Sequence, residues 1–426
     1  MAHQAHNIPW NILTTNLKPI LRPSHGQRDK ECSNFYLRLE PGQAGQLRHF
    51  VAAFARNIDD HTRSERAKYE ETYPVPSRTD ILLTDAVVEK ISPAVLWFRQ
   101  RSSFHSSLSK VDPESPKSFC RHQDECSCAV PFRERRVEAF LRQHVQNNCY
   151  EFWNYNSHAF YNLEIVKLLL LYGEIEPILR ICAHPDNDLL SWQSQTQCYD
   201  LDHDLGWEHI YLVALDAYIC LNICYCFPEL WDSKSGWTAT RDYRDTYLYQ
   251  SMLKHCTLSG TTSEVPMLPH RHFFGIADDH FVKTEYTLPF GTSSLAHFLT
   301  SGEAELGRTR LKPGTAKYVS RILRERGIPQ ELVLSILGFV DQTPRSRLSM
   351  PHDPLHLANE TELRRYLTYC WKLVIRCNIM AQELDRVVDW EQIITAVLRD
   401  RLSSPGNRVW CKYDYDAENR DVMRFI

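Results

Sequence analysis

"ETELRRYLTYCWKLVIRCNIMAQEL", residues 360–384, carries the clearest structural signal in the chain. Leu363, Leu367, Cys370, Val374, Cys377, Ala381 and Leu384 recur at alternating steps of four and three, the spacing of one face of an α-helix sustained over three heptads. Asn359 stands just before this run and Glu362 three residues later, so a capping box is expected to open the helix. Asp389 and Gln392 repeat that pairing before "WEQIITAVLRDRL", residues 390–402. A seam this regular suits a coiled coil between chains, but two cysteines and an alanine within it favour packing against the chain's own helices.

The same spacing recurs towards the amino terminus. In "QLRHFVAAFARNI", residues 46–58, Leu47, Phe50, Val51, Phe54 and Ile58 line one stripe. "TDILLTDAVVEKISPAVLWF", residues 79–98, reads as two short helices, the second capped by Ser92 with Pro93 at its first position, where a missing N–H costs nothing. "FRERRVEAFLRQH", residues 132–144, reads as a helix with a solvated arginine face. "NLEIVKLLLLYGEIEPIL", residues 162–179, and "IYLVALDAYICLNICYCF", residues 210–227, read as buried core helices, the first ended by Gly173 in the left-handed conformation. A further helix is expected around residues 243–256.

The expected fold class is therefore mainly α, a multi-helix globular protein with a few short strands or irregular segments. Residues 1–103 form an N-terminal helical region and 104–131 a Ser/Pro-rich loop or linker. Residues 132–257 form a central helical core, 258–315 an irregular stretch suited to short strands, and 316–426 a C-terminal helical module.

Composition narrows the function. The chain has 426 residues, 49 Lys plus Arg against 53 Asp plus Glu, and a net charge of −4, so no overall positive field points to nucleic acid or an anionic membrane. The first twenty residues lack a signal-peptide pattern, and no apolar run reaches the ~18 residues of a membrane span. Most cysteines in the helical stretches, among them Cys220, Cys224, Cys370 and Cys377, suit small apolar fillers. A reducing compartment, cytoplasmic or nuclear, is expected.

Candidate chemistry lies in His-, Cys- and Asp-rich clusters. "HRHFFGIADDH" places His270 and His272 two apart, with Asp278, Asp279 and His280 behind them. Two imidazoles and a carboxylate would suit iron or zinc as cofactor. "DLDHDLGWEH" offers Asp202, His203, Asp204 and His209, and "CRHQDECSC" offers Cys120, His122, Cys126 and Cys128, a spacing compressed relative to zinc ribbons. Phosphate-cradling loops, a GxSxG elbow and HExxH do not occur.

Two resemblances concern the C-terminal region. "GIPQELVLSILGFVD", residues 327–341, resembles the opening of an F-box, and "YLTYCWKLVIRC", residues 366–377, resembles its later helix. That likeness implies docking to a cullin-ligase adaptor through Pro329, Glu331, Leu332, Ile336, Leu337 and Trp371. The span 327–390, with its "ELVLSIL", "PHDPLH" and "YLTYCWKLVIRC" elements, also looks like a recurring feature of uncharacterised filamentous-fungal proteins. Such proteins can be accessory to pathogenicity or specialised metabolism. The reading that follows is a non-enzymatic protein-interaction or adaptor protein without cofactor; the alternative is a metal-dependent enzyme using His270, His272 and Asp278 or Asp279.

Overall fold

Apolar residues three and four apart bury a continuous helical face, and that pattern accounts for most of the architecture. The computed structural model describes residues 8–20, 34–37, 44–101, 129–143, 152–194, 206–227, 243, 246–249, 252, 323, 326, 348–350 and 354–402. In chain order these hold α1 (Trp10–Asn16), β1 (Leu17–Ile20), β2 (Asn34–Leu37), α2 (Ala44–Arg66), α3 (Asp85–Arg101) and a 3-10 turn at Phe132–Arg135. Then follow α4 (Val137–Phe140), α5 (Phe152–Tyr172), α6 (Ile175–Cys182), α7 (Glu208–Tyr225), a 3-10 turn at Leu357–Asn359, α8 (Glu360–Glu383) and α9 (Trp390–Leu402). The protein is mainly α. Its strands pair antiparallel, Leu17 opposite Leu37 and Ile20 opposite Asn34, a two-stranded ladder that tolerates Pro19 because a proline nitrogen can face the open edge.

Helix α8 lies against α7 and α2, and α9 packs on the same two helices. Leu363, Leu367, Cys370, Val374, Cys377 and Ala381 are all buried, and Leu384 packs partly buried against the same cluster. The heptad seam thus faces the chain's own interior. Where α1, α2, α7 and α8 meet, aromatic rings fill the space: Trp10 sits 5.5 Å from Phe50, and Trp371 lies 5.8 Å from Phe54 and 5.2 Å from Tyr218. Helix α7 is apolar on every side and buried along almost all its length, as a central helix must be. No described helix is long and apolar enough to cross a membrane.

Three local expectations are corrected. Residues 85–101 form the single helix α3, which runs on through Pro93; the Ser92 hydroxyl does not cap a second helix but donates to the Val88 carbonyl one turn back. Asn359 does not cap α8. Its amide is occupied by Met350, accepting from the Met350 N–H at 2.9 Å and donating to the Met350 carbonyl at 2.7 Å. The preceding 3-10 turn has its own side-chain cap, His356 Nδ1 accepting from the Ala358 N–H. Residues 132–143 are not a solvated helix either; the chain makes a 3-10 turn and one short α-turn, and buries Glu134 and Arg135.

Two other ends follow expectation. Asp389 Oδ1 accepts from the Gln392 N–H at 2.9 Å ahead of α9. Gly173 closes α5 with φ +80°, and the N–H groups of Gly173 and Glu174 both return to the Leu169 carbonyl. The α5 terminus is then sealed from α8: Arg376 donates to the carbonyls of Leu170 and Leu171, and the Tyr369 hydroxyl donates to Leu171.

Candidate functional site

A carboxylate removed from water must find donors or neutralise, and the turn before α4 solves this for Glu134. The residue is fully buried. Arg142 approaches it with both terminal nitrogens, the Nη2 contact at 3.0 Å, and the same guanidinium donates to Asn162 Oδ1 of α5 at 2.7 Å. Asn162 Nδ2 in turn donates to Glu134 at 3.4 Å. The neighbouring Arg135, also buried, donates to the Val130 carbonyl at 3.0 Å and reaches Asp85 of α3 at 2.6 Å. Arginine suits both places because its planar fork satisfies several acceptors at once.

Beside this network lies a small notch, open to solvent, between α4, α5 and the turns at 187–193. Phe140, Leu163, Val166, Leu189 and Trp192 supply apolar walls, and Arg142, Asn162 and Asp188 supply polar edges. Trp192 is braced edge-on by Phe160 at 5.0 Å. His158, on the exposed side of α5, has its imidazole pushed below its usual range, first by partial desolvation and then by the Arg142 charge. At about 10 Å³, room for roughly one water, the notch is far smaller than the ~300–1,000 Å³ of ordinary ligand pockets. The Arg142 guanidinium on its rim is committed to Glu134 and Asn162.

A second buried junction ties α7 to α9. Asp216 interrupts the apolar α7 helix, and Arg401 meets it with Nε at 2.8 Å and Nη2 at 2.9 Å. Burial alone would lower the Arg401 pKa, but the Asp216 carboxylate outweighs it and holds the guanidinium above its ordinary value. Cys220, one turn on, donates its thiol to Asp216, and burial drives its pKa well up, with the carboxylate adding to the effect. The junction extends further. Asn34 of β2 donates to the Arg401 carbonyl at 2.9 Å and accepts from the Leu248 N–H at 3.1 Å.

The candidates drawn from sequence are distributed as follows. His270, His272, Asp278 and Asp279 lie outside the described residues, as do Cys120, His122, Cys126, Cys128, Asp202, His203 and Asp204. Pro329, Glu331, Leu332, Ile336 and Leu337 also lie outside them. His209 is in the first turn of α7, partly buried. Trp371 is 5% exposed, its indole N–H donating to His61 Nδ1 of α2 at 2.9 Å, so in this packing the ring serves the α2–α8 contact. Among the described residues no group of three or more His, Cys, Asp or Glu side chains is placed to hold a metal ion.

The buried thiols act as fillers. Cys182, Cys220, Cys224, Cys370 and Cys377 are buried and form no disulfide, and burial raises the pKa of Cys182, Cys224 and Cys377, away from the thiolate that a nucleophile requires. The Glu134–Arg142 and Asp216–Arg401 pairs were not expected as pairs from sequence. The signal for one was present, since an acid inside an apolar helix demands a partner; nothing in the spacing of Asp216 and Arg401 identified which.

No curated protein and no solved structure matches the chain. A family model described as "Gramillins biosynthetic cluster protein GRA5" matches residues 11–410, and so spans the two-stranded ladder, the Glu134 and Asp216 junctions and the α8–α9 pair. With nearly its whole length matched, the chain belongs to this fungal family of biosynthetic-cluster proteins.

Proposed function

We propose that this chain is a non-enzymatic accessory protein of fungal specialised metabolism that works by binding a protein partner in the cytoplasm or nucleus. The family match over residues 11–410 carries the reading, because the family is described by its place in a biosynthetic cluster. The chemistry of the described residues supports it. Glu134, Asp216, Arg142 and Arg401 are spent in clamps between chain segments, and burial raises the pKa of the Cys220 and Cys377 thiols. In the narrower form of the proposal, Pro329, Glu331, Leu332, Ile336 and Leu337 present an F-box-like helix to a cullin-ligase adaptor.

The test is deletion of the gene from a fungus that carries it, with quantification of the neighbouring cluster's product, followed by affinity capture with the full-length tagged protein. Loss of product and capture of a protein encoded in the same cluster are expected. Unchanged product yield after deletion would overturn the role in metabolism. Retention of no cullin-ligase adaptor above background would remove the F-box form alone. Stoichiometric iron or zinc in the purified protein, lost on replacing His270 and His272, would replace the whole reading with a metal-dependent enzyme.

A further inference from the structure

We draw no further inference here: the strongest candidate, the exposed apolar side chains Val75, Ile81 and Leu190 on the two surface loops tied together by the Arg78–Asp186 ion pair, carries nothing because nothing in the structure shows what covers it.

Discussion

At the scale of single residues, Gly173 has two reasons to be glycine. Its φ of +80° is a region that L side chains enter at a cost, and a Cβ there would stand 2.6 Å from Arg376 Nη2, the guanidinium that seals the end of α5. Gly173→Ala is expected to lower stability by about 1–3 kcal/mol, the usual range for a strained backbone position. Urea unfolding checks it, and an alanine variant as stable as the parent would show that neither constraint operates. Asp216 and Arg401 are the second case. Asp216→Asn leaves a guanidinium facing a neutral amide in the interior, with an expected loss of about 3–5 kcal/mol. The double replacement Asp216→Leu with Arg401→Met is expected to recover most of it. If the double variant is instead as unstable as the sum of the single ones, the pair is not coupled as the 2.8 and 2.9 Å contacts indicate. Gly173 was legible in the sequence because a glycine after an apolar helical run has a single common use. The arginines were not, since a long flexible side chain reaches inward or outward with the same pattern of neighbours.

At the scale of elements, α8 decides how the helices assemble, and its stripe was legible because three heptads of spacing leave little freedom. Substitution on the two faces should differ sharply. Leu367→Ala opens space in the fully buried seam and is expected to cost about 2–5 kcal/mol, whereas Arg365→Ala on the exposed face should stay within about 0.5 kcal/mol. The unfolding midpoint of the wild-type protein should not move with protein concentration, because the seam is covered by α2 and α7 of the same chain. A midpoint that rises with concentration would point to a seam shared between chains. Other elements were harder to read. Strands β1 and β2 have four residues each, too few for an alternating pattern to stand out, and the first contains a proline that reads as punctuation. Ser92 and Pro93 read as the opening of a helix in sequence, yet both sit within α3, the serine hydroxyl bonded back to the Val88 carbonyl. Helix α8 starts at Glu360 as its sequence indicates, but the side-chain cap is lost for a tertiary reason, the Met350 backbone occupying the Asn359 amide.

At the scale of the molecule, one hydrophobic cluster runs from Ile8 to Leu402 and includes residues from α1, α2, α5, α7, α8 and α9. Among the described residues five buried cysteines are distributed through it, Cys182 in α6, Cys220 and Cys224 in α7, and Cys370 and Cys377 in α8, so their exposure reports directly on how the core opens. A reagent that alkylates thiols should leave all five unmodified in the native protein, because burial both excludes it and, at Cys182, Cys220, Cys224 and Cys377, holds the sulfur protonated. With rising denaturant, the five are expected to become reactive together, since α7 cannot leave α8 without uncovering the heptad seam and the Asp216–Arg401 junction at once. Mass-spectrometric mapping of the modified peptides resolves each cysteine separately. Coincident midpoints would show that α6, α7 and α8 unfold as one cooperative unit. Earlier exposure of Cys370 and Cys377 alone would instead make the C-terminal helices an independently opening module.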